Sequence, residues 1–363
     1  MKVVYEGALF PGVGGGPSHY IGLSKGLLSV GASIVHVVPR TSDLTCDATG
    51  IPQVRLSVRG SRILRNLTYE LSRIALILRW WVTGRRFDVW IARHSVFGVG
   101  LGLARMVAEQ VVLEVNGPVK EEMQANFGSR HMAVVADWSL RLQARSAHLT
   151  VAVTPGLARY LAQRVTMPRC EVLPNGACPD SASGPTTGEH SLVFAGALTP
   201  WYELDVVLST VHRLRDSGLQ VRLVVIGDGV SLDGLKSQAA DLGIDDLVTF
   251  AGWVDGETAR REIQRASVGM LPLRPKHEDL EAVGSPLKLF EYVAAGLRVI
   301  GTDIDGVTNS PVREAVHTYR QGDPASCAIA IREALDAGEG HCLAESTWSW
   351  NSRATQLVAM LKR

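Results

Sequence analysis

The sequence predicts an α/β protein built from two doubly wound parallel sheets. Three observations carry this. Short apolar runs alternate with longer amphipathic stretches from one end of the chain to the other. The runs are apolar nearly throughout rather than at every second position, as strands buried on both faces must be. The β–α alternation stops and restarts after Asn175-Gly176. A length of 363 residues agrees, since a domain takes roughly 150. With 46% apolar and 20% charged residues and no low-complexity run, the chain buries a core unaided. Disordered, collagen-like, coiled-coil and disulfide-stapled classes are excluded.

In the first block, Lys2 to Tyr5 reads as a strand, Pro17 to Val30 as a helix and Ile34 to Val38 as the next strand. Val89 to Ala92, Val111 to Val115 and Leu149 to Val153 are further strands. Leu101 to Glu109 and Ala133 to Ala147 carry helical patterns between them. In the second block, Leu192 to Ala195, Val221 to Ile226, Val248 to Phe250, Val268 to Leu271 and Arg298 to Thr302 are apolar enough for buried strands. Leu204 to Ser217, Leu232 to Leu242 and Leu287 to Ala295 have the 3.6-residue period of helices. Thr347 to Lys362 reads as a closing helix.

Residues 179 to 189, rich in Ser, Gly, Thr and Pro, separate two apolar strands and predict a linker. The expected domains are 1–178, completed by the terminal helix 347–363, and 179–346. Up to Glu171 there are 20 Lys and Arg against 11 Asp and Glu; the remainder has 17 against 25. Halves of opposite sign predict domains with different ligands. The five cysteines, at 46, 170, 178, 327 and 342, are odd in number and show no C-x-x-C spacing. That argues against a zinc site or a disulfide framework and for a reducing compartment. The opening Met1-Lys2-Val3-Val4-Tyr5-Glu6 reads as a strand rather than a leader, and no run of about 18 apolar residues occurs. A cytoplasmic protein without a membrane span is expected.

Two loops suit anions. Gly14-Gly15-Gly16 follows the first strand and precedes a helix opening Pro17-Ser18. Glycines let the backbone approach a ligand, and the helix end offers unpaired N–H groups. The spacing is neither a dinucleotide fingerprint nor a P-loop. The second loop, Val283-Gly284-Ser285-Pro286, leads into a helix through Leu287, Lys288, Leu289, Phe290 and Glu291. Ser285 suits the cap and Pro286 the first helical position. Lys288 adds a charge at that end. Glu291, three residues on along the same face, is placed to accept two hydrogen bonds from a vicinal diol such as ribose.

The run Ser285-Pro286-Leu287-Lys288-Leu289-Phe290-Glu291-Tyr292-Val293-Ala294-Ala295-Gly296 resembles the donor-site helix of retaining GT-B glycosyltransferases. The nearest group is the large bacterial one that includes polysaccharide, phosphatidylinositol and inositol sugar transferases. Other segments resemble that family in order: the glycine loop at 14 to 16, Leu113 to Pro118, Val172-Leu173-Pro174-Asn175-Gly176, and Phe194-Ala195-Gly196-Ala197-Leu198. Val225-Ile226-Gly227-Asp228-Gly229, Val248 to Val254 and Ser346-Thr347-Trp348-Ser349-Trp350 complete the likeness. The resemblance implies two Rossmann-like domains facing a cleft. It further implies a nucleotide-sugar held mainly by the C-terminal domain, an acceptor on the N-terminal one, and no metal or other cofactor.

The resemblance also implies roles. Glu291 would hold the ribose diol, Gly252 to Val254 with Trp253 the base, and Gly284, Ser285, Pro286 and Leu287 the diphosphate, with Gly196 and Gly227 lining the donor. Gly15, Gly16, His94, Asn116 and Lys288 would surround the reacting centre, and His19, Glu114 and Asn116 the acceptor. The sequence departs from the family pattern at three places. Val283 stands where an acidic residue is common; Glu278 or Glu281 is the nearest substitute. Ala197 and Tyr202 stand where an Arg and a Lys usually face the diphosphate; Lys288, Arg274 and Lys276 are candidate replacements. Asn116 stands where relatives carry a histidine; His94 and His19 are alternatives.

The expected activity is therefore hexosyl transfer from a nucleotide-diphosphate sugar, of UDP or GDP type, to a sugar, lipid-linked or small-molecule hydroxyl. A catalytically degenerate sugar-binding scaffold and a nucleotide-sugar epimerase are the alternatives. Arginines 55, 59, 62, 65, 73, 79, 85 and 86 cluster around Leu64 to Trp81. Leu67, Leu71, Ile74, Leu78 and Trp81 follow helical spacing. An ordinary domain helix with its apolar face in the core and solvated arginines explains this; so does peripheral contact of Arg62 to Arg86, with Trp80 and Trp81, at the inner face of an anionic membrane. No nucleic-acid signature is present.

Overall fold

The structure, a computed structural model, describes residues 1–8, 16–42, 50–121, 123, 130–178, 190–274, 286–337 and 343–363. They divide into two compact units. The described residues of Met1–Gly176 and Trp350–Arg363 form the first, and those of Ala177–Glu281 and Pro286–Ser349 the second.

In the first unit the chain runs β1 (Lys2–Glu6), α1 (Gly16–Ser29), β2 (Ser33–Pro39), β3 (Gln53–Leu56), α2 (Arg62–Val82), β4 (Phe87–Arg93), a 3-10 helix (Val99–Met106) and β5 (Ala108–Val115). It continues through α3 (Arg130–Ser146), β6 (Leu149–Ala152), α4 (Pro155–Arg164) and β7 (Cys170–Val172). The sheet is parallel throughout, ordered β3-β2-β1-β4-β5-β6-β7. The helical pattern over Leu101 to Glu109 resolves differently from expectation. The 3-10 helix ends at Met106, and Ala108 and Glu109 already belong to β5, where Ala108 pairs with Phe87.

The second unit runs β8 (Ser191–Ala195), α5 (Leu204–Asp216), β9 (Arg222–Ile226), α6 (Leu232–Asp241), β10 (Val248–Gly252), α7 (Gly256–Arg265) and β11 (Val268–Leu271). Then come α8 (Leu287–Ala294), β12 (Arg298–Thr302), α9 (Asp305–Thr308), β13 (Val316–Tyr319) and α10 (Pro324–Asp336). Its parallel sheet is ordered β10-β9-β8-β11-β12-β13. Alternate residues of β8 enter different core clusters: Leu192 and Phe194 join Leu223, Val225 and Met270, while Val193 joins Ile226, Leu271 and Val299. Both faces of the strand are therefore covered, which is why it reads as a continuous apolar run.

The closing helix begins later than its pattern suggests. A 3-10 turn (Glu345–Thr347) precedes α11 (Trp350–Leu361), and α11 belongs to the first unit. It lies directly on α1. A Cβ on Gly22 would fall 2.1 Å from Trp350 Nε1, and one on Gly26 2.3 Å from the Trp350 carbonyl oxygen. Arg353, buried, donates from Nε to the Asn175 carbonyl at 3.0 Å, and burial lowers its pKa to about 10.

His36 on β2 is fully buried between Tyr5 and Tyr20, and its Nε2 lies 2.9 Å from Ser24 Oγ. Burial pushes its pKa down to about 4. The unfolded chain binds that proton near pH 6.5, so the stability His36 confers is complete above that value and is lost as pH falls toward 4. The loss is on the order of 3 kcal/mol. Melting temperatures of wild type and His36→Asn from pH 7.5 to 4.5 check this: the acid slope should be shallower in the variant, and equal slopes would refute it.

Candidate functional site

In each sheet the strand order reverses once, between β1 and β4 and between β8 and β11. Parallel α/β sheets open at such points, beyond the carboxyl ends of the strands, to admit a ligand.

At the β8/β11 switch point the backbone is held by interlocking glycines. Gly196, directly after β8, has φ +154 and donates its N–H to the Ile226 carbonyl at 2.8 Å. Gly227, directly after β9, has φ +130, and a Cβ there would lie 2.0 Å from the Gly196 oxygen. Neither position accepts a side chain. A Cβ on Gly196 would also lie 2.3 Å from Lys288 Nζ, so Lys288 reaches back over the end of β8.

Its helix is held in place by Tyr292. The Ala195 N–H donates to the Tyr292 hydroxyl at 3.0 Å, and a Cβ on Gly269 would sit 2.5 Å from the Tyr292 ring. The loops after β8 and β11 also pair with each other. Glu203 N–H donates to the Pro272 carbonyl and Arg274 N–H to the Trp201 carbonyl, both at 2.7 Å. This brings Tyr202 beside Lys288, whose Nζ donates to the Tyr202 hydroxyl at 2.9 Å. The ammonium lies 4.7 Å from the Tyr202 ring centroid and 5.6 Å from that of Phe194. Among the described residues no carboxylate forms an ion pair with Lys288. The site thus holds a cation by neutral groups, leaving its charge for a ligand.

The helix start is a correction to the expected cap. Pro286 is itself the capping residue, with φ −70 and ψ 120, and Leu287 opens the helix. A proline whose ring already fixes φ suits that extended turn. Gly284, Ser285, Val283, Glu278, Glu281 and Lys276 lie outside the described residues. Glu291 is exposed one turn further along α8. Trp253, 80% exposed, and half-buried Val254 follow β10. Asp255 then caps α7 by accepting from the N–H groups of Glu257 and Thr258 at 3.0 Å each.

Arg274, a candidate replacement cation, is bound by both carboxylate oxygens of Asp205 at 2.7 and 2.8 Å. Glu203 beside it is buried and accepts the Gly322 N–H at 2.7 Å, and among the described residues its second oxygen has no hydrogen-bond partner. Burial raises its pKa, against the lowering effects of the Gly322 hydrogen bond and Arg274.

In the first unit the sheet brings His19, Glu114 and Asn116 together with two residues that sequence reasoning did not place there, Arg93 and the Asn175 side chain. His19 on α1 reaches Asn175 Oδ1 through Nδ1 at 2.6 Å and Glu114 Oε1 through Nε2. Tyr5 donates to the other Glu114 oxygen at 2.9 Å, and Arg93 Nε lies 3.9 Å from that same oxygen. With its amide oriented to suit its neighbours, Asn116 accepts from Arg93 Nη2 at 2.8 Å. Burial would raise the Glu114 pKa; the charge and hydrogen bond of His19, then Arg93 and Tyr5, outweigh it and lower it. Glu114 is therefore a fixed anion.

His94 is not part of this cluster. Its ring meets the α3 backbone at Ala136, its buried Nε2 has no partner among the described residues, and burial lowers its pKa to about 4, against the opposing Ala136 hydrogen bond. Gly14 and Gly15 lie outside the described residues, and Gly16 is the first residue of α1. Among the described residues no group of three His, Cys, Asp or Glu is arranged to hold a metal ion.

Comparison with known proteins accords with this geometry. Residues 13–181 match the family model Glycosyltransferase Family 4, and residues 189–337 match Glycosyl transferases group 1. A relative in Mycolicibacterium smegmatis, a GDP-mannose-dependent alpha-(1-6)-phosphatidylinositol monomannoside mannosyltransferase, is 23% identical over 186 residues, 47% of each chain. A glycogen synthase of Mycobacterium tuberculosis is 26% identical over 223 residues, 57% of this chain and 49% of its own. The chain thus spans about half the length of the curated relatives it matches. Sucrose-phosphate synthase from Thermosynechococcus elongatus superposes over 100% of this chain and 98% of its own, with TM-score 0.73 and 13% identity. Anabaena Alr3699/HepE in complex with UDP and glucose does so over 100% and 99%, with TM-score 0.71 and 15% identity. These likenesses establish the GT-B fold.

Proposed function

The chain belongs to the GT-B glycosyltransferases, and from that premise we propose that it transfers a hexose from a nucleotide-diphosphate sugar to an acceptor hydroxyl. The transfer retains anomeric configuration and uses no metal ion. The observation that carries the reading is Lys288, held over Gly196 by Tyr202 at the switch point of the second sheet.

In the reaction the bond from the sugar C1 to the diphosphate oxygen breaks and its electron pair leaves with the diphosphate. The acceptor oxygen bonds to C1 on the same face, and its proton passes to the departing phosphate. Charge builds on the diphosphate as the bond breaks. The Lys288 ammonium and the positive dipole end of α8 oppose that charge without reorganising. Glu291 takes the ribose diol of the donor. The mannosyltransferase relative is named for GDP-mannose, and the HepE neighbour holds UDP and glucose; both support a nucleoside diphosphate donor. The acceptor, a sugar, lipid-linked or small-molecule hydroxyl, is assigned to the first unit around His19, Glu114 and Asn116.

Thermal midpoints with UDP, GDP and ADP test the donor assignment on wild type and Glu291→Ala. A nucleotide at 100 times its dissociation constant stabilises by about 2.7 kcal/mol. One of the three should raise the midpoint, with the rise reduced in the variant. No rise with any of them at saturating concentration would remove the donor site from this reading.

A further inference from the structure

Helix α2 carries apolar residues on both its buried and its exposed face. Its buried face carries Tyr69, Glu70, Arg73, Ile77 and Trp80, with the Arg73 guanidinium between the Glu6 and Glu70 carboxylates. Its exposed face carries Leu64, Leu67, Leu71, Leu78, Trp81 and Val82, from 42% exposed at Leu67 to 77% at Val82. Steps of three and four residues put these on one stripe, about 27 Å long at the helical rise. Of the stripe expected in the core, Leu67, Leu71, Leu78 and Trp81 are therefore outside, and only Ile74, half-buried against Gly100, is partly covered. Trp80 belongs to the buried face with Tyr69 and Ile77, packed against Phe87 and Trp90, leaving Trp81 as the exposed aromatic.

The charge around the stripe has one sign. Between Arg55 and Arg86 there are eight arginines and a single acid, Glu70, and Glu70 is buried against Arg73. Arg59 stands exposed before the helix, Arg79 in its last turn, and Arg85 and Arg86 just beyond it. A stripe of leucines ending in a tryptophan and edged by cations matches the boundary between lipid headgroups and acyl chains. A second copy of the chain would set one cationic edge against another. No helix among the described residues is long and apolar enough to cross a membrane, so the helix would lie along the surface.

We propose that the outer face of α2 binds the surface of an anionic phospholipid bilayer, with the leucines and Trp81 in the acyl boundary and the arginines on the headgroups. This is independent of the donor-site reading, since its test uses no nucleotide.

The full chain is floated with vesicles of phosphatidylcholine alone and of phosphatidylcholine with about one third phosphatidylglycerol. Binding should require the anionic lipid and weaken about tenfold between 0.1 and 0.5 M salt. Leu67→Ser/Leu71→Ser/Leu78→Ser should lower partitioning at least about tenfold, and so should Arg79→Glu/Arg86→Glu. Circular dichroism melts matching wild type show that both variants fold, since every substituted side chain is exposed. If the leucine variant alone melts early, Leu71→Ser by itself takes its place. No binding to anionic vesicles, equal binding to neutral ones, or binding that survives both variants would overturn the proposal. So would a dimer in sedimentation that the leucine substitutions dissolve, which would assign the face to a second copy instead.

Discussion

Lys288→Met is expected to lower kcat by two to three orders of magnitude, about what is lost when one preorganised donor is removed from a developing oxyanion. The reason lies in how the ammonium is held. Among the described residues its contacts are the Tyr202 hydroxyl at 2.9 Å and the faces of Tyr202 and Phe194, none of which cancels its charge. Methionine preserves most of the stem that fills the space over Gly196, so the variant should fold. Tyr202→Phe keeps the aromatic face and removes only the acceptor oxygen; its loss should be smaller, about tenfold or less. Steady-state transfer assays on both variants check the order of effects. Lys288→Met within twofold of wild type would remove Lys288 from the reaction.

Arg73→Met is expected to cost about 3–5 kcal/mol of folding stability, the range for removing one member of a buried ionic cluster. Arg73 is 0% exposed and bridges Glu6 Oε1 at 3.1 Å and Glu70 Oε1 at 2.6 Å. Glu6 is also held by the Trp90 indole N–H at 2.8 Å and the Tyr69 hydroxyl at 3.3 Å, and Glu70 by the Gly100 N–H at 2.6 Å. Those neutral donors remain in the variant, but two buried carboxylates would share one space with no cation.

Burial already raises the Glu70 pKa, with Arg73 the main opposing influence; without Arg73 it rises further. A carboxylate with a raised folded pKa stabilises most at low pH and loses that contribution as pH climbs through the folded value. The variant should therefore be more stable near pH 5 than near pH 8. Denaturant midpoints at both pH values measure this. A variant that loses under 1 kcal/mol, or that weakens on acidification, would show that the guanidinium does not hold the cluster together.

What was legible in the sequence followed from burial. Val111 to Val115 and Leu192 to Ala195 lie deep in parallel sheets, so every residue but the hydrogen-bonded Glu114 is apolar and the strands are plain in the text. β3, β7 and β13 are at sheet edges and only partly buried; with little core to meet, they carry no apolar run. α7 has a single buried residue, Ile263, among arginines and glutamates, which leaves no stripe to read. In α2 the helical period was visible but its direction was not. The arginine that belongs to the core looks, one letter at a time, like those that do not.

The site divides in the same way. Lys288 and Glu291 are neighbours on one helix and could be read as a pair. Tyr202, which holds Lys288, is 86 positions away, and Asn175 lies 156 positions from the His19 it meets. Such partners are set by the order of strands in a sheet. The substitution of tyrosine for a family lysine at position 202 read as a lost charge; in the structure that tyrosine supports the charge of Lys288.

The return of α11 to the first unit has a consequence for synthesis. Residues of the second unit leave the ribosome between Gly176 and Trp350, and domains generally fold as they emerge. This chain cannot follow that order to the end. Gly22 and Gly26 on α1 are shaped to receive Trp350, which is translated only after the whole second unit. The unit begun first is thus the last to be completed, and a nascent chain stopped at Ser349 carries a finished second unit behind an unfinished first.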